Sequence, residues 1–241
     1  MGGAALSIIQ GWSKPMNVMK IEGEEGKTVY AMTGVQWGLY KDSQEKSTKY
    51  WYFGPLKQRI SYIIKTMQGW PQFIRSDFSS TVPCTGCNKC VTAIPKKPSI
   101  WSWLFGWWRK TEEVIDYSQI NNEECGIWNE MKISSVEFTA STTNTDPLLQ
   151  GISEIKVDLG IEEMSRSDFI KEGWARMKDK NNKDTEERIE RTKMSVGEFK
   201  LTPIIDKDQE NWFYIDSEKF EVMSIHASLL KNKINFFTNI H

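Results

Sequence analysis

The chain has 241 residues, enough for one sizeable core or two small ones, with 39% hydrophobic and 12% aromatic residues and a net charge of -1. No run approaches the roughly 18 apolar residues of a spanning helix, and the N-terminus MGGAALSIIQGW has no cationic leader, so the expectation is a cytosolic-type protein. Two histidines leave little for imidazole chemistry, and G-x-S-x-G, G-x-x-x-x-G-K, G-x-G-x-x-G and H-E-x-x-H are all absent, which argues against an enzyme.

In chain order, residues 16–42 read as β-structure. Val29, Ala31, Thr33, Val35, Trp37 and Leu39 alternate strictly, the pattern of a strand with one buried face. The glycines of EGEEGK (22–27) suit a turn that pairs MNVMKI with TVYAMT as a hairpin, and KYWYFG (49–54) reads as a third strand. A helix is expected over 55–69, opened by Pro55 and closed by Gly69. Leu56, Ile60, Ile63, Ile64 and Met67 form its apolar, core-facing side, and Lys57, Arg59 and Lys65 lie opposite.

Further strands are expected at 132–142, 153–160, 196–205, 211–216 and 219–225. A second helix is expected near 165–178, capped by Ser165 or Ser167, with Ile170, Trp174 and Met177 on one face. Residues 178–193 are almost wholly polar and read as an exposed helix extension or a loop. Strands do not alternate regularly with helices, so the fold class is α+β, predominantly antiparallel β-sheet with two or three helices.

CTGCNKC sets Cys84, Cys87 and Cys90 at C-x2-C-x2-C spacing, and Cys125 is the fourth and last cysteine. A short loop with that spacing turns its sulfurs toward one point, so the four are the candidate ligands of a metal, with zinc the expected ion. Ile94, before Pro95, stands where the bacterial ferredoxin run has its fourth cysteine, which argues against an iron–sulfur cluster. Free thiols in a reducing compartment are the non-metal reading.

WSWLFGWWRK (101–110) concentrates four of the eleven tryptophans. Packed inward they would fill a core. Turned outward, Trp101, Trp103, Leu104, Phe105, Trp107 and Trp108 would form an interfacial anchor, with Lys96, Lys97, Arg109 and Lys110 drawn to anionic lipid. Gly2 is the residue that N-myristoylation uses, although Leu6 and Ser7 set the usual hydroxyl one place late.

Residues 1–110, basic and aromatic-rich, carry 15 Lys and Arg against 6 Asp and Glu; residues 111–241, acidic and strand-rich, carry 16 against 26. The two stretches are either separate units or one continuous domain. Their opposite charge suits head-to-tail homo-oligomers, with anionic membrane on the basic side and a protein partner on the acidic side. In composition and layout the chain resembles viral matrix proteins. The expectation drawn from all this is a non-enzymatic, peripheral membrane-associating assembly protein. The alternative is a four-cysteine, metal-stabilised module that binds nucleic acid or regulates.

Overall fold

The hairpin expected near the N-terminus is present and forms one edge of a larger sheet. In the computed structural model, which describes residues 6, 8–11, 13–70, 73–90, 117–145, 153–178, 191–205 and 211–237, β1 (Ser13–Gly23) pairs antiparallel with β2 (Thr28–Ala31). The remaining strands are β3 (Gly34–Gly38), β4 (Ile74–Thr81), β5 (Trp128–Ser135), β6 (Glu137–Thr142), β7 (Ile155–Leu159), β8 (Thr192–Val196), β9 (Glu198–Pro203), β10 (Trp212–Ile215), β11 (Glu218–Glu221) and β12 (Ile225–Phe237). They form two six-stranded antiparallel sheets, ordered β2-β1-β12-β9-β4-β5 and β11-β10-β3-β6-β7-β8. Three helices of eight residues or more stand among the described residues: α1 (Leu39–Lys46), α2 (Lys57–Met67) and α3 (Arg166–Lys178). The α+β class with dominant antiparallel sheet is therefore the class observed.

The inner faces of the sheets share one core. Met19, Phe78, Phe199 and Leu201 from the first sheet meet Val35, Phe138, Ile155 and Phe213 from the second, all fully buried. Phe78 stacks on Phe199 with ring centroids 5.7 Å apart, and Phe138 approaches both edge-on. Each sheet holds strands from both sides of residue 110, so the basic and the acidic stretches contribute to the same core.

Two runs expected as single strands, 28–39 and 132–142, are pairs of strands in different sheets, and the third, 196–205, is β9 preceded by the last residue of β8. The chain leaves the first sheet at Met32–Thr33 and again at Val136, and it enters the first sheet at Gly197. Period-2 alternation persists through these corners because both sheets present alternate residues to the same core. The corner at Gly34 (φ +140°) admits only glycine, since a Cβ there would sit 2.0 Å from the Ala140 carbonyl oxygen.

KYWYFG is not a strand. Residues Ser47–Leu56 form 3₁₀ turns broken at Gly54 (φ 55°) before Pro55, and they pair with no strand among the described residues. Aromatic strand preference reflects packing on a neighbouring strand, and here the rings meet each other edge-on or tilted, with Tyr52 and Phe53 centroids 4.5 Å apart. The helix that follows is where it was expected, but it is turned over. Its buried side holds Ser61, Tyr62, Lys65 and Thr66, while Leu56 and Met67 are exposed and Ile60, Ile63 and Ile64 half-buried.

The reason lies in what the helices cover. Asp42 of α1 is buried, and it accepts from Tyr214 Oη of β10 at 3.0 Å and from Lys65 Nζ of α2 at 3.3 Å. On the same layer Arg176 of α3 makes a bidentate pair with Glu137 of β6 (Nη1–Oε1 3.1 Å, Nη2–Oε2 2.9 Å), its Nε donates to Glu172, and its guanidinium lies 3.7 Å from the Tyr40 ring centroid. Burial pushes the Glu137 carboxyl up against the pull of Arg176. Arg191 joins this group through Glu172 and Asp158, while Thr192 and Lys193 are exposed; residues 179–190 of the polar 178–193 run lie outside the described residues. Tyr40, Tyr62 and Phe169 fill the apolar remainder of the layer. Helix α3 matches its expected span and cap: Ser165 Oγ accepts from the Asp168 backbone N–H at 3.1 Å and donates to its carboxylate at 2.6 Å.

Two predictions follow from these ion contacts. Arg176→Met takes the bidentate partner from buried Glu137 and one of two cations from buried Glu172, leaving only Arg191 beside them, and lowers unfolding free energy by about 3 kcal/mol in urea titration, whereas Lys171→Met, which removes an exposed pair, costs under about 1 kcal/mol. Equal costs would contradict the buried network. The second concerns Asp216, at the two-residue β10–β11 turn, whose carboxylate accepts from the backbone N–H of Met32, Thr33 and Gly34 and from Thr33 Oγ1. Burial pushes this carboxyl up, but the donors outweigh it and hold it below the ordinary aspartate value. Its contribution is then complete above about pH 4 and is lost as pH falls through the lowered folded-state value. Asp216→Asn is expected to cost about 1–2 kcal/mol at pH 7, with the gap to the native chain closing as pH falls below about 4. A gap constant from pH 7 to pH 2 would contradict the clamp.

Candidate functional site

Three features of the described residues carry chemistry, and only one was marked by the sequence. The four cysteines do converge. Cys84, Cys87 and Cys90 lie on the loop after β4, Cys125 lies just before β5, and all four Sγ atoms fall within 4.8 Å of one another. Because β4 and β5 are paired neighbours, the two ends of their connection meet at one sheet end. Asn122 accepts the Cys125 backbone N–H at 3.3 Å through its carbonyl, and Asn88 N–H bonds to the Ile120 carbonyl at 3.0 Å, which ties the loops together. A cleft of about 500 Å³ opens beside them, lined by Cys84, Cys90, Cys125, Lys89, Lys231 and Glu198 among others.

The second feature is the hollow beside Asp216, about 200 Å³, lined by Thr33, Gln36, Thr139, Ser141 and Tyr214 with Gly34, Ala140 and Ser217. Asp216 and Ser217 both take left-handed backbone (φ 47° and 76°), the conformation a two-residue hairpin turn demands and that glycine or asparagine usually supplies. Such strain is held in place by the four hydrogen bonds to the carboxylate, and the result is a fixed, ionised carboxylate among hydroxyls. The sequence signal was an aspartate followed by Ser217, which stands where an Asp-Gly hairpin turn has its glycine, and the turn fell at the end of an expected strand.

The third feature is an outward-facing apolar surface. Trp51 (75% exposed), Tyr52, Phe53, Leu56 and Met67 (77% exposed) continue from the 3₁₀ segment along the free side of α2. Lys46 precedes the segment, Lys49 lies in its first turn, and Lys57 and Arg59 stand on the helix near its apolar stripe. The stripe was legible at helical spacing; that it faces out was not. The surface expected for membrane, by contrast, lies outside the described residues: Gly2, Lys96, Lys97, Trp101, Trp103, Leu104, Phe105, Trp107, Trp108, Arg109 and Lys110. No helix among the described residues is long and apolar enough to cross a membrane.

Comparison with known proteins gives the family. Residues 32–241 match the family model of the acylglycerol kinase C-terminal region. The mouse protein named acylglycerol kinase, mitochondrial, is 29% identical over 239 residues, covering 97% of this chain and 54% of the relative; the human protein of the same name is 29% identical over 241 residues with the same coverage. The chain thus spans about half the length of the curated relatives it matches. A solved diacylglycerol kinase from Bacillus anthracis str. Sterne aligns with a TM-score of 0.45 at 12% identity, covering 98% of this chain and 60% of that one.

These matches overturn the expectation of a non-enzymatic, viral-matrix-like assembly protein, and with it the nucleic-acid-binding or regulatory alternative: the relatives are named as lipid kinases. The inference failed because scarce histidine says little about phosphoryl transfer, which relies on positioning and electrostatics more than on imidazole chemistry. The missing phosphate-loop motif was weak evidence for the same reason, since only some kinases use that loop. The chain belongs to the acylglycerol kinase C-terminal family.

Proposed function

We propose that this chain is the lipid-facing part of an acylglycerol kinase, which transfers a phosphoryl group from a nucleotide to the free hydroxyl of an acylglycerol at a membrane surface. The family match over residues 32–241 carries the reading. The mouse and human relatives are named as mitochondrial, and a mitochondrial membrane is the proposed location.

An acylglycerol does not leave the bilayer readily, so the enzyme must sit on it. The 51–67 surface suits that need: aromatic rings and an apolar helical stripe for the acyl–headgroup boundary, with Lys46, Lys49, Lys57 and Arg59 beside them for anionic headgroups. A carboxylate that is ionised at neutral pH and fixed in a polar hollow suits the other need, an acceptor that orients the substrate hydroxyl. Asp216 is the residue we assign to it: donors of the 32–34 turn hold its carboxyl below the ordinary value, so it positions the hydroxyl rather than serving as a strong base.

In the protein that carries this chain, incubation with labelled ATP, magnesium and vesicles bearing mono- or diacylglycerol is expected to yield a phosphorylated lipid. Label found only in water-soluble products would overturn the reading. Asp216→Asn is expected to lower turnover about a hundredfold while vesicle binding is retained. The triple variant Trp51→Ala, Phe53→Ala, Met67→Ala is expected to cut the fraction bound to anionic vesicles at least about tenfold, because each change removes roughly 1–3 kcal/mol of apolar burial. Its melting temperature should hardly move, since these side chains are exposed in the fold. Undiminished binding would overturn the assignment of this surface to lipid.

A further inference from the structure

Neither the fold's core nor the lipid-kinase reading uses the cysteines. We propose that Cys84, Cys87, Cys90 and Cys125 hold one structural zinc ion that pins both ends of the β4–β5 connection.

The geometry favours a single tetrahedral ion. Four thiolates bound at about 2.3 Å lie roughly 3.8 Å from each other. Cys87 and Cys90 Sγ are 3.6 Å apart, Cys90 and Cys84 Sγ 3.7 Å, and no pair of the four exceeds 4.8 Å. These separations far exceed the roughly 2.0 Å of a disulfide, and all four thiols are free. They are also too close to spread around the several irons of a cluster, so one ion is what the space admits.

The surroundings are those of bound thiolates. The Cys87 backbone N–H points at Cys90 Sγ (3.3 Å) and Asn122 Nδ2 at Cys84 Sγ (3.5 Å), donors that steady negative sulfur. Four thiolates on a divalent ion leave a net charge of about -2. Lys231 Nζ on the Cys84 carbonyl (3.2 Å) and Lys89 Nζ on the Glu123 carbonyl (3.2 Å) bring two cations to the two ligand-bearing loops. The turn between Cys84 and Cys87 closes at Gly86, where a Cβ would strike the Tyr117 ring at 2.3 Å.

With four protein ligands the ion has no open position, so its role is structural rather than catalytic. Three ligands follow β4, which ends at Thr81, and one precedes β5, which begins at Trp128. The ion therefore fixes where the intervening segment leaves the sheet and where it returns.

Elemental analysis of the protein purified without chelator is expected to find about one zinc per chain, and Cys125→Ser to bring it below about half an equivalent. Should Cys125→Ser fail to fold, cobalt titration of the native chain serves instead. One equivalent of Co²⁺ should give the intense near-ultraviolet thiolate-to-cobalt absorption and the visible bands of a tetrahedral site, and zinc should displace them. Below about half an equivalent of zinc, together with no uptake on adding zinc to reduced protein, would overturn the site. Iron in place of zinc, or a cobalt spectrum of octahedral type, would overturn it as well.

Discussion

The helical layer is set on a sheet face that carries charge, and this decides how the molecule meets its surroundings. Glu137 of β6 and Tyr214 of β10 project from the second sheet toward the helices, and Asp42 of α1 is buried between them and α2. A buried carboxylate must be answered by a cation or donors, or the layer cannot close. Arg176 answers Glu137, and Lys65 with Tyr214 answers Asp42. Helix α2 can deliver Lys65 only by turning its polar side inward, and its isoleucines, Leu56 and Met67 are then left at or near the surface. The exposed apolar stripe is thus a consequence of the ion pairs beneath it.

Much of the fold was legible because hydrophobic alternation reports burial directly. The hairpin of β1 and β2, the strands β7 and β10, and helix α3 with its Ser165 cap all stand where periodicity and capping chemistry place them. What periodicity does not report is which neighbour a face meets. Residues 28–39 alternate without a break, yet they span two sheets and the first turn of α1, because both sheets draw on one core. The same blindness hid the outward turn of α2: an amphipathic pattern names two sides and does not say which one is wet.

The candidate sites divide along the same line. The cysteine cluster was readable because the spacing of thiols on a short loop is itself geometric information, and Cys125 was the only partner left to complete it. The Asp216 hollow was not readable, since it brings together turns from residues 32–34 and 214–217, about 180 positions apart in sequence. The basic character of the first 110 residues led to the expectation of an anionic surface; the described segment we propose for it is 46–67, and the tryptophan run at 101–108 lies outside the described residues.

If residues 51–67 face lipid, binding to a bilayer must shield them from solvent. Hydrogen exchange measured with and without vesicles containing anionic lipid tests it directly. Amides of the 47–67 segment are expected to become protected on vesicle binding while the interior strands β12, β9 and β4 of the first sheet exchange as before. Binding that protects other segments and leaves 47–67 unchanged would contradict it.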